Sequence, residues 1–573
     1  MASSNIFASY RAQFEADLAR YGFLAEVDGR WRGSVDTSWY AGDGTRHHAQ
    51  EEILVELRSG FPFDKPRVRP CTPDPLIAES LHREPGGAAC LWRDDGTGWQ
   101  PGIAAAELLD RTREWFTRCR ESRWRDDERP GDLHLYYPSD RLQTMVAMGD
   151  DWQPSKDAPM GRFGVWQTND RIAFVGDPQS GGGTPGPKNK NPVLTQLLVG
   201  NERVAEVGVW FRITQEPKRI ATATEFVALV DAAADRPGAT VEHMTGVLGS
   251  KIRGAKRIYI ALGYPGAGLD EHWLFLQCNV ASREGKRWST PDGLKALSLD
   301  ACVTAPAAKS ALLRRIGDPA EAVAAKHVLV FGVGAIGSEV AILLAKTGLA
   351  KLSIVDSGRL TPANAIRHAA GLRYAGLLKT FAVEQEILGH APYCAVEQHL
   401  ETWKPDELAP LVGAADLVID ATARSQFSAL LNEIALAAGT PVLYVAAHRR
   451  ASIGRIRLVR PHRDACLTCY EAGYVNNATY PLIPPMDEGA FIEEGCGTPT
   501  VTAGALDLQT TANTAARLAV NLLSGSEAPE NHTLVVVQPI PGATAPLEAC
   551  GVHAATYSPL SECESCGSGS PTP

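Results

Sequence analysis

The residues in this 573-residue chain whose types and spacing could do chemistry cluster in its second half. The run HVLVFGVGAIGSEVAILLAKTG sets Gly332, Gly334 and Gly337 between a buried-strand pattern and a helical one. Bare backbone amides there can approach a phosphate at a helix amino terminus. Such a loop suits NAD, FAD or ATP. Asp356, closing the next strand pattern LSIVD, stands where an acid hydrogen-bonds ribose hydroxyls. Asn364, Arg367 and Lys379 follow, donors that a reacting triphosphate needs and a hydride transfer does not, so the set points to ATP. Further on, Cys466-Leu-Thr-Cys469 and Cys563-Glu-Ser-Cys566 are two C-x-x-C pairs. Together they supply a closed four-thiolate shell, which suits a structural zinc and leaves no coordination position for substrate. Between the pairs, Cys496 lies in a glycine-flanked loop, accessible as a nucleophilic thiol must be.

These residues need elements to position them. From about residue 311 the chain alternates buried-strand runs (HVLVF, LSIVD, DLVID, PVLYV, GRIRLV, TLVVVQ) with helical stretches, the pattern of an α/β doubly wound, Rossmann-like sheet. Residues 10–125 read as a compact α+β domain: helical RAQFEADLARYGF, alternating EEILVELRSGF, then helical AAAELLDRTREWFTRC. Between them, about 145–305, come strand-like runs (RIAFVG, VAEVGVWFRI, RIYIALGY, HWLFLQCNV) and a Gly-, Pro- and Lys-rich loop, with no recognisable motif. The length by itself argues for several domains. With 56 Lys and Arg against 66 Asp and Glu, the net charge of −10 argues against a general nucleic-acid binder. No apolar run approaches the ~20 residues needed to span a bilayer, and the amino terminus lacks the basic-then-apolar order of a secretory signal. The expected location is cytoplasmic, without membrane attachment. Thiols stay reduced there, so the twelve cysteines are read first as ligands, nucleophiles or core residues, the last for Cys278, Cys302, Cys394 and Cys550.

The order glycine loop, strand-end Asp356, Asn364-x-x-Arg367 and Gly376-x-x-Lys379 resembles the adenylating domain shared by ubiquitin-activating enzymes and the ThiF- and MoeB-type sulfur-carrier adenylyltransferases. The resemblance covers about residues 310–570. It implies ATP as substrate and a functional homodimer, in which Arg314 or Arg315 of the lead-in helix reaches the partner's triphosphate. It also implies that Asp420, ending DLVID, holds Mg2+, although Ala423 stands where many relatives carry a second Asp. The cysteine pairs would pin the carboxy-terminal part with zinc, as in many family members. Cys496, followed by a long helix with Gln509, would be the thioester-forming residue.

The amino-terminal segment ILVELRSGFPFDKPRVRP, with Phe61, Pro62 and Pro66, resembles the strand, turn and proline order of ubiquitin-conjugating enzymes. Cys90-Leu91 followed by Trp99 and Pro101 extends the likeness, one residue longer than the usual spacing. The family's oxyanion-stabilising Asn, eight residues before the cysteine, is here His82, which can donate the same hydrogen bond or act as a base. The whole resembles the fused activating and conjugating enzymes of bacterial CBASS anti-phage operons: a conjugating-enzyme-like domain (1–145), a linker domain (146–310) and an adenylation domain (311–573). That resemblance implies adenylation of a carboxy-terminal glycine of a cGAS-like nucleotidyltransferase, capture on Cys496, exchange to Cys90 and transfer to a target amine. The alternatives are a sulfur-carrier adenylyltransferase with an amino-terminal docking domain, a non-catalytic adaptor, and an NAD-dependent oxidoreductase.

Overall fold

In the computed structural model of the chain, the described residues are 3–121 except 72–73, 75–76, 78–81, 85–86 and 93–97. Then come 144–167, 172–179, 204–214, 257–265, 271–279 and 299–308, and last 309–567 except 401–403, 486–490, 495–497, 528 and 544. The chain divides into two compact units, one of residues 1–191 and 198–308, the other of 192–197 and 309–573.

In the first unit, helix α1 (Ser3–Arg20) precedes the antiparallel strands β1 (Leu24–Ala25), β2 (Arg30–Tyr40), β3 (Arg46–Glu56) and β4 (Arg67–Pro70), which pair in sequence order, and helix α2 (Ala105–Glu121) follows. Alternation along β3 sends Ile53 and Val55 into a core with Phe14 and Leu18 of α1 and Leu108, Trp115 and Phe116 of α2. The same periodicity buries Glu51 completely. Its Oε1 accepts from Arg120 Nε and the terminal nitrogen, at 3.0 and 2.6 Å, and Arg120 also pairs with Asp74 and lies over the Trp39 ring.

A second sheet of this unit uses β5 (Met145–Met148), β6 (Met160–Gln167), β7 (Ile172–Gln179), β8 (Val204–Arg212), β9 (Arg257–Pro265), β10 (Glu271–Asn279), β11 (Asp300–Ala301) and β12 (Val303–Pro306). Their order is β11-β10-β9-β8-β6-β7-β5-β12. Four of these strands coincide with the apolar runs of the sequence. The tryptophans and phenylalanines on one face, Trp152, Phe163, Trp273 and Phe275, pack edge to face.

The second unit begins with the short helices α3 (Lys309–Leu313) and α4 (Asp318–Val323). It continues β13 (His327–Phe331), α5 (Ala335–Lys346), β14 (Lys351–Val355), α6 (Pro362–Ala365), α7 (Lys379–His390), β15 (Ala395–His399), α8 (Pro405–Gly413), β16 (Leu417–Asp420), α9 (Ser425–Ala438) and β17 (Val442–His448). It closes with β18 (Ile453–Val459), α10 (Leu467–Ala472), the ribbon β19 (Phe491–Glu494) and β20 (Thr498–Val501), α11 (Ala505–Leu523), β21 (His532–Val536) and β22 (Gly551–Ala555). The sheet order is β15-β14-β13-β16-β17-β18-β21-β22. The first five strands are parallel, as a doubly wound sheet requires, but β18, β21 and β22 are antiparallel, so the sheet is mixed. The departure has a local cause. Only residues 449–452 join β17 to β18, too few for the crossover that a parallel neighbour needs. Arg449, Arg450 and Ala451 make that turn at φ of 52°, 58° and 67°, a left-handed path unusual for residues with side chains.

Among the described residues no helix is long and apolar enough to cross a membrane. On the face of the mixed sheet that carries Tyr444, register aligns Asp420, Tyr444, Arg457 and His532 on four neighbouring strands. Arg455 and Arg457 pack over the rings of Tyr480 and Tyr470. Burial, with these two guanidinium charges, pushes His448 down to about 4 and His532 to about 3.

Two outcomes follow from the buried charges. Arg120→Ala leaves Glu51 buried without its counter-charge, and is expected to destabilise the amino-terminal unit by about 3–5 kcal/mol in urea unfolding followed by tryptophan fluorescence. His448 and His532 are neutral when folded but have ordinary affinity for protons when unfolded, at about 6.5. Their contribution is therefore complete above that pH and lost as pH falls toward 4. The thermal midpoint of the carboxy-terminal unit should fall across this window, and fall less steeply in His448→Gln.

Candidate functional site

The parallel strands β13, β14 and β16 end at one edge of the sheet, and each hands over to a segment that leads into a helix. Helices α5, α7 and α9 therefore begin at that edge, presenting amide N–H groups and the positive ends of their dipoles. An open cavity of about 230 Å³ lies there. Its lining includes Gly332 and Gly334 after β13, Asp356 and Gly358 after β14, Lys379 as the first residue of α7, and Thr422 and Arg424 after β16.

The glycine loop has definite backbone requirements. Gly332 adopts φ 79° against the backbone of Ala421 and Thr422, and a Cβ on Gly337 would collide with the Gly332 carbonyl. The loop is held from both sides. Asp356 Oδ2 accepts the Val333 N–H at 3.0 Å, while its Oδ1 accepts the Gly358 N–H at 2.7 Å. His368 is buried; its Nδ1 accepts the Ala370 N–H at 3.0 Å, so Nε2 carries the proton and donates to the Val333 carbonyl at 2.8 Å. Burial first, and the Lys379 charge further, lower the proton affinity of this imidazole and keep it in that neutral form.

The structure thus brings together Gly332, Gly334, Asp356 and Lys379 as read from the sequence. Gly337 serves the tight packing of loop on helix. Asn364 sits outside the lining and closes a capping box with Thr361 at the start of α6. Arg367 is half-buried one turn later, its N–H donating to the Asn364 carbonyl, and it too lies outside the lining. Arg314 and Arg315 are exposed in the turn after α3 and do not line this chain's cavity. Cys496 lies outside the described residues. Gln509, on α11, donates to Glu339 Oε1 at 2.8 Å.

Asp420 does not fit the magnesium-holding role expected of it. It is 2% exposed and absent from the cavity lining. Oδ1 accepts from the Thr422 N–H at 2.9 Å and the Thr422 hydroxyl at 2.6 Å, and Oδ2 from the Ser428 hydroxyl. Burial raises its pKa. Position 423 offers no second donor, being an alanine at φ 54°. Sequence reasoning missed Arg424 and His368. The signals were present: a cation immediately before the helix that follows DLVID, and a histidine directly after Arg367.

The four paired cysteines converge. Cys466 Sγ lies 3.8 Å from Cys469 and 3.6 Å from Cys563, Cys469 lies 3.4 Å from Cys566, and all four sulfurs fall within 4.8 Å of one another. Zinc–sulfur bonds of about 2.3 Å make tetrahedron edges of about 3.8 Å, so the thiols fit that ion. The hydrogen bond with Cys469, and burial, raise the Cys466 thiol, and burial pushes Cys566 up to about 12; a bound cation would favour the thiolates instead. The turn leading to Cys466 is fixed by a buried bidentate pair, Arg460 to Asp464, at 2.7 and 3.0 Å. Of the remaining cysteines, Cys278, Cys302 and Cys394 are buried, whereas Cys550, expected in a core, is exposed because β22 is an edge strand and its approach lies at the surface.

In the first unit His82 and Cys90 face each other across a small hairpin, where the Cys90 N–H donates to the His82 carbonyl at 3.0 Å beside the Arg83–Ala89 bridge. Cys90 is exposed. Trp115 Nε1 also donates to the His82 carbonyl, at 2.7 Å, tying the hairpin to α2. Phe61, Trp92 and Trp99 pack together, and Trp99 Nε1 donates to the Pro62 carbonyl at 2.7 Å.

Comparison with known proteins places a family on the second unit: residues 308–537 match the ThiF family. This stretch is a ThiF-family adenylation domain. The chain is 24% identical to the protein y4oA of Sinorhizobium fredii over 521 residues, 82% of this chain and 83% of that protein. It is 27% identical to y4qC of the same organism over 221 residues, 35% of this chain and 37% of the relative. Among solved structures, E. coli MccB with ATP is similar at 16% identity and TM-score 0.34, covering 44% of this chain and 69% of that one. The microcin C7 biosynthetic enzyme MccB in complex with N-formylated MccA is similar at 15% and 0.35, covering 44% and 70%.

The zinc reading has a direct check. Elemental analysis of the purified full chain is expected to find one zinc per chain. Cys466→Ser should lose it and lower the thermal midpoint of the carboxy-terminal unit, and Cys550→Ser should change neither.

Proposed function

We propose that the chain is an ATP-dependent protein-conjugating enzyme that activates the carboxy terminus of a polypeptide and passes it along two of its own cysteines to an amine. The observation that carries this reading is the cavity of the ThiF-family domain. There the glycine loop, Asp356 and Lys379 meet at the amino termini of three helices, a setting suited to a nucleoside triphosphate.

Asp356 and the loop amides hold the nucleotide, and Lys379 draws charge from its phosphates. The carboxylate of the substrate attacks the α-phosphorus, the bond to the β-phosphate breaks, and pyrophosphate leaves with the electron pair. The resulting acyl adenylate is a far better acyl donor than a carboxylate. The Cys496 thiolate displaces AMP to give a thioester, and thiol exchange moves the acyl group to Cys90. An amine then attacks the Cys90 thioester, the thiolate leaves, and the amine's proton passes to a base or to water. His82, whose backbone carbonyl accepts the Cys90 N–H, would polarise the thioester carbonyl. Zinc on the four cysteines would hold the chain around residues 466–566 in shape. We take the acyl donor to be a cGAS-like nucleotidyltransferase with a carboxy-terminal glycine, in anti-phage defence, and the working form to be a cytoplasmic homodimer in which Arg314 or Arg315 reaches the partner's nucleotide.

The test is intact mass spectrometry and non-reducing electrophoresis of the wild type, Cys496→Ala and Cys90→Ala after incubation with ATP, magnesium and the nucleotidyltransferase. A thiol-sensitive adduct is expected on wild type, stalled on Cys496 when Cys90 is removed, and absent from Cys90 when Cys496 is removed. If Cys90→Ala forms and discharges the adduct as wild type does, the relay is wrong. A sulfur-carrier adenylyltransferase with an amino-terminal docking domain then becomes the better reading.

A further inference from the structure

The cavity that the proposed function assigns to ATP has an unusual charge balance. Its described lining carries two cations, Lys379 and Arg424, and one carboxylate, Asp356, each oxygen of which already accepts a backbone N–H. The acid on the neighbouring strand, Asp420, is turned into the protein and satisfied there by Thr422 and Ser428. Arg424 stands where its placement is fixed from below. Asp420 holds Thr422, the Thr422 hydroxyl accepts the Arg424 N–H at 3.3 Å, and Ala423 turns the chain at φ 54° so that residue 424 heads α9 at the rim of the cavity. The internal hydrogen bonds of Asp420 therefore build a turn that presents a guanidinium, rather than presenting a carboxylate for a metal.

We propose that Arg424 binds the polyphosphate of the nucleotide, so that a side-chain cation, in place of a protein-held divalent metal, neutralises charge on this side of the cavity. The inference rests on the reading of the cavity as an ATP site and adds a residue and a charge mechanism to it. The guanidinium forks onto phosphate oxygens from one side while Lys379 approaches from the other. During adenylation negative charge accumulates on the departing pyrophosphate as the α–β bridging bond breaks. Arg424, its backbone held at the head of α9, stabilises that charge. The fold spends Asp420 on positioning the arginine.

Calorimetric titration of the full chain with ATP and with adenosine, each with magnesium and with EDTA, tests this. Arg424→Ala is expected to weaken ATP binding about tenfold or more, the loss of a charge-assisted contact, and to leave adenosine binding unchanged. Arg424→Lys, which keeps the charge without the fork, should recover part of the loss. In wild type, EDTA should weaken ATP binding less than Arg424→Ala does. Circular dichroism of the two variants confirms that they fold, which an exposed position favours. If wild type binds ATP and Arg424→Ala binds it equally well, or if EDTA alone abolishes ATP binding, the proposed role of Arg424 is overturned while the ATP site stands. If wild type binds adenosine and ATP under none of these conditions, the function proposed above falls and this inference falls with it.

Discussion

The carboxy-terminal unit is organised around one carboxylate. Asp356 accepts hydrogen bonds from Val333 and Gly358, and so ties the loop after β13 to the loop after β14 at the carboxyl edge of the sheet. That bridge extends the register that the β13–β14 ladder and the Gly332 N–H bond to the Val355 carbonyl set for two glycine-containing segments with little side-chain substance of their own. His368 adds a second clamp from below, gripping the Val333 carbonyl. Because the ring makes this contact together with the one from the Ala370 N–H only as neutral imidazole in one tautomer, burial serves the geometry of the loop as well as the stability of the core.

From that bridge the rest of the site follows by topology. Parallel strands require their helices to start at the same edge, so α5, α7 and α9 aim their amino termini into one crevice. Lys379 reaches the cavity because it is the first residue of α7, and Arg424 because it is the last residue before α9. Charge is thus delivered by position along a helix rather than by proximity in sequence. The core beneath is continuous: Val330, Ile354 and Ile419 from three strands pack with Val340 and Leu344 of α5 and with Ala515 and Ala519 of α11. The small residues of α11 let that helix approach α5 closely, where Gln509 and Glu339 meet.

On the opposite face, the four cysteines occupy a cluster with Tyr470, Tyr480 and Tyr557. Two segments nearly a hundred residues apart, 466–469 and 563–566, have few apolar side chains with which to hold each other. A shared ion is an economical cross-link under conditions that keep thiols reduced. The Arg460–Asp464 pair prepares one half of that site by fixing the turn before Cys466.

Much of this was legible without coordinates. Period-two and continuous apolar runs located most strands because burial on one or both faces imposes those patterns. The glycine loop, Asp356 and Lys379 were legible because phosphate approach demands missing side chains and charge at stereotyped points of a strand–loop–helix unit. The C-x-x-C pairs were legible because metal geometry constrains spacing. Tertiary structure decided what depends on direction. Asp420 ends a strand, as its pattern says, but whether its carboxylate faces the cavity or the interior depends on Thr422, Ser428 and a left-handed Ala423. Arg424, an ordinary surface charge in sequence, lines the cavity only because that turn aims it there. The antiparallel half of the mixed sheet likewise depended on the length and path of one hairpin turn, since strand patterns report burial and carry no information about chain direction.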